Sequence, residues 1–185
     1  MSNLLETLIN DLRPNGGHIF YHYNNKENYI HNVVSFIVTG IKNGDHILLA
    51  ENDRHMLDIN KKLQKELSKG QLENLHFINN YDFYYSNGNF HPHTIVNYFL
   101  KNIEPFIEKG ASLCSWGLIE WGEDKEINDD VVEYEKQVDS LVKEKGITSV
   151  CAYDSKRTSD SLKELLMRCH GVMLTDDEVV YLKQT

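Results

Sequence analysis

The sequence predicts a three-layer α/β domain built on a mostly parallel sheet, and three observations carry that reading. Short apolar segments alternate with amphipathic helical patterns along the chain. One of them, Ile47-Leu48-Leu49-Ala50, is continuously apolar, as expected of a central parallel strand covered on both faces. The segment from Gly17 to Glu51 reads as a strand (His18–Tyr23), a helix (Lys26–Lys42) and a second strand (His46–Glu51). The polar loop Asn24-Asn25-Lys26-Glu27-Asn28 joins the first strand to its helix, at the end of the sheet where such folds place their ligands. A nucleotide-hydrolysing sheet would carry a glycine-rich phosphate cradle ending in Lys-Ser/Thr at this point, and this loop contains no glycine.

The elements follow in order. Leu4, Leu5, Leu8, Ile9 and Leu12 have helical spacing, and Pro14-Asn15-Gly16-Gly17 stops that helix. The next helix carries Tyr29, Ile30, Val33, Val34, Ile37 and Ile41 on one face and ends at Asn43-Gly44-Asp45. Asp53 to Lys69 is expected to be a third helix, and Leu75–Ile78 a strand. A long loop from Asn79 to His93 holds Tyr81, Phe83, Tyr84, Tyr85 and Phe90. Loops of that length are more often functional than idle, so these aromatics are expected to form a lid. Thr94–Lys109 returns to helix, with Pro105 expected to kink or split it. Ala111–Ile119 is a strand, an acidic segment spans Glu120–Asp130, and Val131, Tyr134, Val138 and Leu141 mark another helix. Ile147–Ala152 is a strand ending at Tyr153-Asp154, and Ser161-Leu162-Lys163-Glu164 reads as a capping box. Val172–Leu174 and Val179–Leu182 read as a terminal hairpin or paired edge strands. The expected organisation is one domain over 1–185, an N-terminal helix (1–14) followed by an α/β core (17–182).

Composition narrows the function. A formal charge of −9 over 185 residues argues against direct binding to nucleic acid or an anionic membrane, which needs clustered Lys and Arg. No apolar run reaches the roughly 18–20 residues that span a bilayer, and the N-terminus lacks a signal-peptide pattern, so a cytoplasmic protein is expected. Cys114, Cys151 and Cys169 form no Cys-x-x-Cys pair, and the first two sit in apolar strands as small core residues.

Candidate ligand contacts cluster at the strand ends. Tyr21, His22 and Asn24 end the first strand, Glu51 the second, and Tyr153 and Asp154 the fifth. Trp116 and Glu120 stand at the fourth, where a tryptophan supplies an apolar pocket wall with a polar N–H. Without a phosphate loop, Glu51 has no leaving group to act on, and no catalytic motif assembles. His91-Pro92-His93 is a weak metal candidate that lacks a third ligand. Glu120, Glu123, Asp124, Glu126, Asp129 and Asp130 precede a helix N-terminus, where negative charge is favoured. No cofactor is expected.

Several pieces, kept in order across about 15–182, resemble the MEDS family, the methanogen/methylotroph sensory domain of dichloromethane-repressor-type regulators. They are Gly17-His18-Ile19 with Tyr21, Asn43-Gly44-Asp45, and Tyr134-Glu135 ahead of Val150-Cys151-Ala152-Tyr153-Asp154. Cys169-His170-Gly171 stands where the family has Thr-His-Pro, and Ser115-Trp116-Gly117 matches its Trp-bearing strand in part. The resemblance implies a RecA/KaiC-like fold that has lost the phosphate loop. It implies a non-catalytic sensor of small organic molecules, with hydrocarbon derivatives as ligands, working in signalling or transcription. The expected partners are that ligand and a separate regulated protein, with a homodimer compatible. The rivals are a hydrolase or transferase acting through Glu51, His22 and Asp154, and a ligand-free antagonist in a kinase or sigma-factor pathway.

Overall fold

A computed structural model describes residues 2–122 and 127–183. Its elements are α1 (Ser2–Leu12), β1 (Gly17–Tyr23), α2 (Lys26–Lys42), β2 (His46–Glu51), α3 (Asp53–Glu66) and α4 (Lys69–Leu72). There follow β3 (Leu75–Asn79), α5 (Asn80–Tyr84), α6 (Pro92–Glu108), β4 (Leu113–Leu118), α7 (Asn128–Lys145) and β5 (Thr148–Asp154). A 3-10 turn (Ser155–Arg157), α8 (Asp160–Cys169), β6 (Val172–Leu174) and β7 (Val179–Tyr181) complete it. The strands form one sheet in the order β3-β2-β4-β5-β1-β6-β7. All neighbours are parallel except β6 and β7, which pair antiparallel as a hairpin.

Alternation along the strands sorts side chains to two faces. Ile19, Tyr21, Leu49, Trp116 and Val150 pack with Leu5, Leu8, Val33, Phe36 and Ile59 under α1, α2 and α3. Phe20, Leu48, Cys151, Tyr153 and Met173 pack with Phe83, Phe99, Val131, Val138 and Leu166 under α5–α8. This is the predicted three-layer α/β arrangement.

Local chemistry moves four boundaries. The third helix stops at Glu66 because Leu67 turns to extended backbone (φ −127°, ψ 145°), buries its side chain, and hands over to a Ser68–Gln71 capping box. Pro105 does not split α6, which runs unbroken from Pro92 to Glu108; the missing proline N–H removes only the one bond to the Lys101 carbonyl, and the turns on either side continue. The capping residue of α8 is Ser159 rather than Ser161, since its extended backbone lets the hydroxyl accept from the Leu162 amide. The long loop after β3 opens with α5, capped by the Asn79 side chain, whose Oδ1 accepts from the Tyr81 and Asp82 amides.

The lid expectation is corrected by the same segment. Phe83, Tyr84 and Phe90 are core residues of the second face, leaving Tyr81 exposed and Tyr85 half-buried and stacked on it. Large apolar rings bury when a face is available, and Gly117 opens one. A Cβ on Gly117 would stand 2.2 Å from the Tyr84 hydroxyl oxygen, so only glycine in β4 admits that ring.

Candidate functional site

Tyr21, Glu51 and Trp116 share the first face because they lie on inward positions of β1, β2 and β4, and α2 lays Tyr29 between them. Tyr29 donates its hydroxyl to Glu51 Oε2 and accepts from Trp116 Nε1 at 3.0 Å. The other oxygen of Glu51 takes the Asn52 amide at 2.9 Å and faces His55 Nδ1 at 2.8 Å. The carboxylate is fully buried, and both of its oxygens are met by donors. Burial and the Glu51 charge push the Tyr29 phenol well above its usual range, so it remains a donor.

The loop after β1 is closed by Asp176, from the turn of the β6–β7 hairpin. Its Oδ2 accepts the backbone amides of Asn24 at 3.0 Å and Asn25 at 3.1 Å. Its Oδ1 accepts the Tyr21 hydroxyl at 2.6 Å, and Asn32 Nδ2 donates to that same hydroxyl at 2.9 Å. Asn25 then caps α2 by accepting from the Asn28 amide. A carboxylate thus sits on loop amides at a helix entry, the place where an anion is favoured.

The outer rim is polar. Glu120 is exposed and accepts from Asn52 Nδ2 at 3.1 Å and Asn80 Nδ2 at 2.8 Å, bridging three strand ends. Asp154 accepts the Lys156 amide and so caps the 3-10 turn. His22 is half-buried, and its Nε2 is buried without a hydrogen-bond partner. Burial, helped by the Lys163 charge, lowers the pKa of that ring and keeps it neutral.

Two candidate groupings are not brought together. Trp116 and Tyr153 lie on opposite faces, because Trp116 pairs with Val150 and Tyr153 is three residues further along β5. The sheet therefore stands between the two rings. His91 and His93 do not converge on an ion: His91 Nδ1 caps α6 at the Thr94 amide, and His93 Nδ1 meets Gln137. Asp129 and Asp130 occupy the first turn of α7, while Glu123, Asp124 and Glu126 lie outside the described residues.

Tyr153 belongs to a second cluster beneath α7. Its hydroxyl donates to Glu135 Oε1, and the other oxygen, Oε2, lies 3.0 Å from both His18 Nε2 and His170 Nε2. Burial opposes charge on His18, yet Asp139 and Glu135 outweigh it and raise the ring to about 9. Burial and the neighbouring His18 lower His170, while His170 and His18 together hold the buried Glu135 ionised.

Residues 17–171 match the model of MEDS, the MEthanogen/methylotroph, DcmR Sensory domain. The chain belongs to the MEDS family. A MEDS domain is a sensory, non-catalytic unit in signalling. No curated protein matches the chain in sequence. Among solved structures, the ATPase domain of G40P superposes with a TM-score of 0.56 at 10% identity, over 94% of this chain and 78% of that one. The flagellar accessory protein FlaH from Methanocaldococcus jannaschii gives 0.54 at 14% identity, over 91% and 76%. These likenesses show the RecA/KaiC-like fold of this MEDS domain.

Sequence reasoning missed Asp176, Tyr29 and His55 as parts of the MEDS edge network. Tyr29 was legible only as an inward helical position. Asp176 lies 155 residues from Tyr21, and nothing local pairs them. No helix among the described residues is long and apolar enough to cross a membrane.

Proposed function

We propose that this MEDS domain senses a small organic molecule at the carboxyl edge of its sheet and relays occupancy to a partner protein through the β6–β7 hairpin. The observation that supports it is the Asp176 carboxylate seated on the Asn24 and Asn25 amides. In a nucleotide-binding relative of this fold, loop amides in that position hold phosphate. With the chain's own anion bound there, a triphosphate meets both a filled seat and like charge. Recognition then falls to groups on the rim: His22 with its unpartnered Nε2, Asn24, Glu120 and Asp154. Tyr21, Glu51, Trp116 and Tyr153 are fully buried and support these groups from beneath. A ligand that prefers the conformer with Asp176 released moves the hairpin, whose β7 strand exposes Val180 and Tyr181.

The test is a comparison of melting temperatures. MgATP is expected to leave the wild type unchanged and to yield no phosphate, whereas Asp176→Ala gains stabilisation by inorganic phosphate that the wild type lacks. A panel of short halogenated and oxygenated hydrocarbons should contain members that raise the wild-type Tm, with the rise reduced in His22→Ala. MgATP stabilisation of the wild type, or turnover abolished by Glu51→Gln, overturns the proposal.

A further inference from the structure

We infer that His18, Glu135, Cys151 and His170 form a four-ligand centre for one divalent transition-metal ion of the zinc class. The four come from separate elements: β1, α7, β5 and the junction between α8 and β6. One ligand atom from each lies within 4.8 Å of the others, and all four residues are buried.

Hydrogen accounting points to a cation. His170 Nδ1 lies 2.6 Å from the Leu166 carbonyl, and His18 Nδ1 lies 3.0 Å from the Cys169 carbonyl and 3.2 Å from Asp139 Oδ1. Those oxygens only accept, so each Nδ1 carries hydrogen, and each ring in its neutral, metal-binding form turns its Nε2 lone pair inward. Both lone pairs then meet one carboxylate oxygen, Glu135 Oε2, at 3.0 Å. His170 Nε2 and Glu135 Oε2 are buried with no hydrogen-bond partner. Acceptor facing acceptor in a buried site is costly. A hydrogen on one ring answers one of the two contacts and leaves the other, at His170 Nε2, unanswered. A metal ion answers every inward lone pair at once.

The surroundings match what such an ion needs. An Nδ1–H held by a carbonyl or carboxylate is the usual support for a ligating histidine, and both rings have it. Tyr153 donates to Glu135 Oε1, leaving Oε2 for the ion. Cys151 Sγ lies 3.5 Å from His18 Nε2. Tetrahedral bonds of about 2.0–2.3 Å place ligand atoms about 3.3–3.8 Å apart, so small rotations of these side chains complete the geometry. Two imidazoles, a thiolate and a single carboxylate oxygen favour zinc over magnesium or calcium, which demand oxygen. The thiol ionises on coordination. A surface cleft of about 260 Å³, bordered by His18, Asp139 and Gly171, opens beside the cluster as an entry.

A loaded centre would pin the root of the terminal hairpin, since the Gly171 amide already bonds the His18 carbonyl at 3.1 Å. The site lies on the opposite face from the Glu51 network and stands or falls independently of the sheet-edge proposal.

The test uses the full chain, stripped with chelator, dialysed and titrated with Co²⁺ and then Zn²⁺. The wild type should bind one equivalent of Co²⁺ with tetrahedral visible absorption and a thiolate-to-cobalt charge-transfer band, both bleached by Zn²⁺. Zn²⁺ should raise its Tm, and Mg²⁺ should not. Cys151→Ser should lose the charge-transfer band, and His170→Gln should weaken binding about tenfold or more. Absence of both the Co²⁺ spectrum and the Zn²⁺-dependent Tm in the stripped wild type overturns the inference, whether or not the variants fold. Persistence of the charge-transfer band in Cys151→Ser overturns it as well.

Discussion

Glu51 and Glu135 are both fully buried glutamates, one under each face of the same sheet, and their environments differ in kind. Glu51 is met by donors: the Tyr29 hydroxyl, the Asn52 amide and the His55 ring. Glu135 has one oxygen met by Tyr153 and the other by two imidazole Nε2 atoms at 3.0 Å, of which that of His170 is left without a partner. The first arrangement is closed and stabilising by itself. The second calls for a proton or an ion. Burial alone therefore does not separate a structural carboxylate from a ligand-seeking one; the direction of the surrounding hydrogens does.

The largest expected effect tests that contrast directly. Glu135→Ala leaves the charged, buried His18 without that carboxylate and strips the acceptor from the Tyr153 hydroxyl, and should lower stability by about 3–5 kcal/mol. Glu51→Ala should lose about 2–3 kcal/mol, as hydrogen bonds to a charged acceptor do. Urea midpoints on metal-stripped protein compare the two, and a larger loss at Glu51 would break the ordering.

Packing on the second face gives the next effect. Gly117→Ala drives a methyl group into the Tyr84 hydroxyl and should lose about 1–3 kcal/mol, as overpacked cores do. Removing that oxygen with Tyr84→Phe in the same chain should recover part of the loss. Purely additive losses would show that the clash is not the cause.

His22 sharpens the comparison at the rim through pH. Its folded pKa lies below 6.5, with burial first and Lys163 second, while Asp154, Asp176 and Asp160 pull the other way. The unfolded chain therefore binds the proton more tightly, and this ring contributes stability that is present above pH 6.5 and lost as pH falls through the folded value. Replacing it by Gln should flatten the slope of Tm against pH on the acid side of 6.5. An unchanged slope assigns that dependence to other groups. The smallest effect belongs to Glu120→Gln: its carboxylate is exposed and its partners Asn52 and Asn80 retain an acceptor, so stability should stay within about 0.5 kcal/mol.

Much of the architecture was legible in the chain because it is local physics. The periods of Tyr29–Ile41 and Leu4–Leu12, and the apolar run Ile47–Ala50, announce helix and parallel strand wherever they sit. The glycine-free turn Asn24–Asn28 announced a sheet without a phosphate cradle. The errors came where neighbours decide. Leu67 ended a helix to bury itself, and the ring of Tyr84 entered the core because Gly117, on another strand, left room for it.

By itself, then, the sequence determined the layers, the strand ends and the type of side chain at each, since these follow from composition and periodicity along the backbone. Only the tertiary structure decided which of those side chains meet. Parallel pairing of β1 with β5 brings His18 beside Cys151, helix packing adds Glu135, and the turn into β6 adds His170. The hairpin carries Asp176 back across the chain to the loop after β1. Such meetings depend on register and crossover, which spacing along a chain does not encode. Both proposed sites of this MEDS domain rest on them.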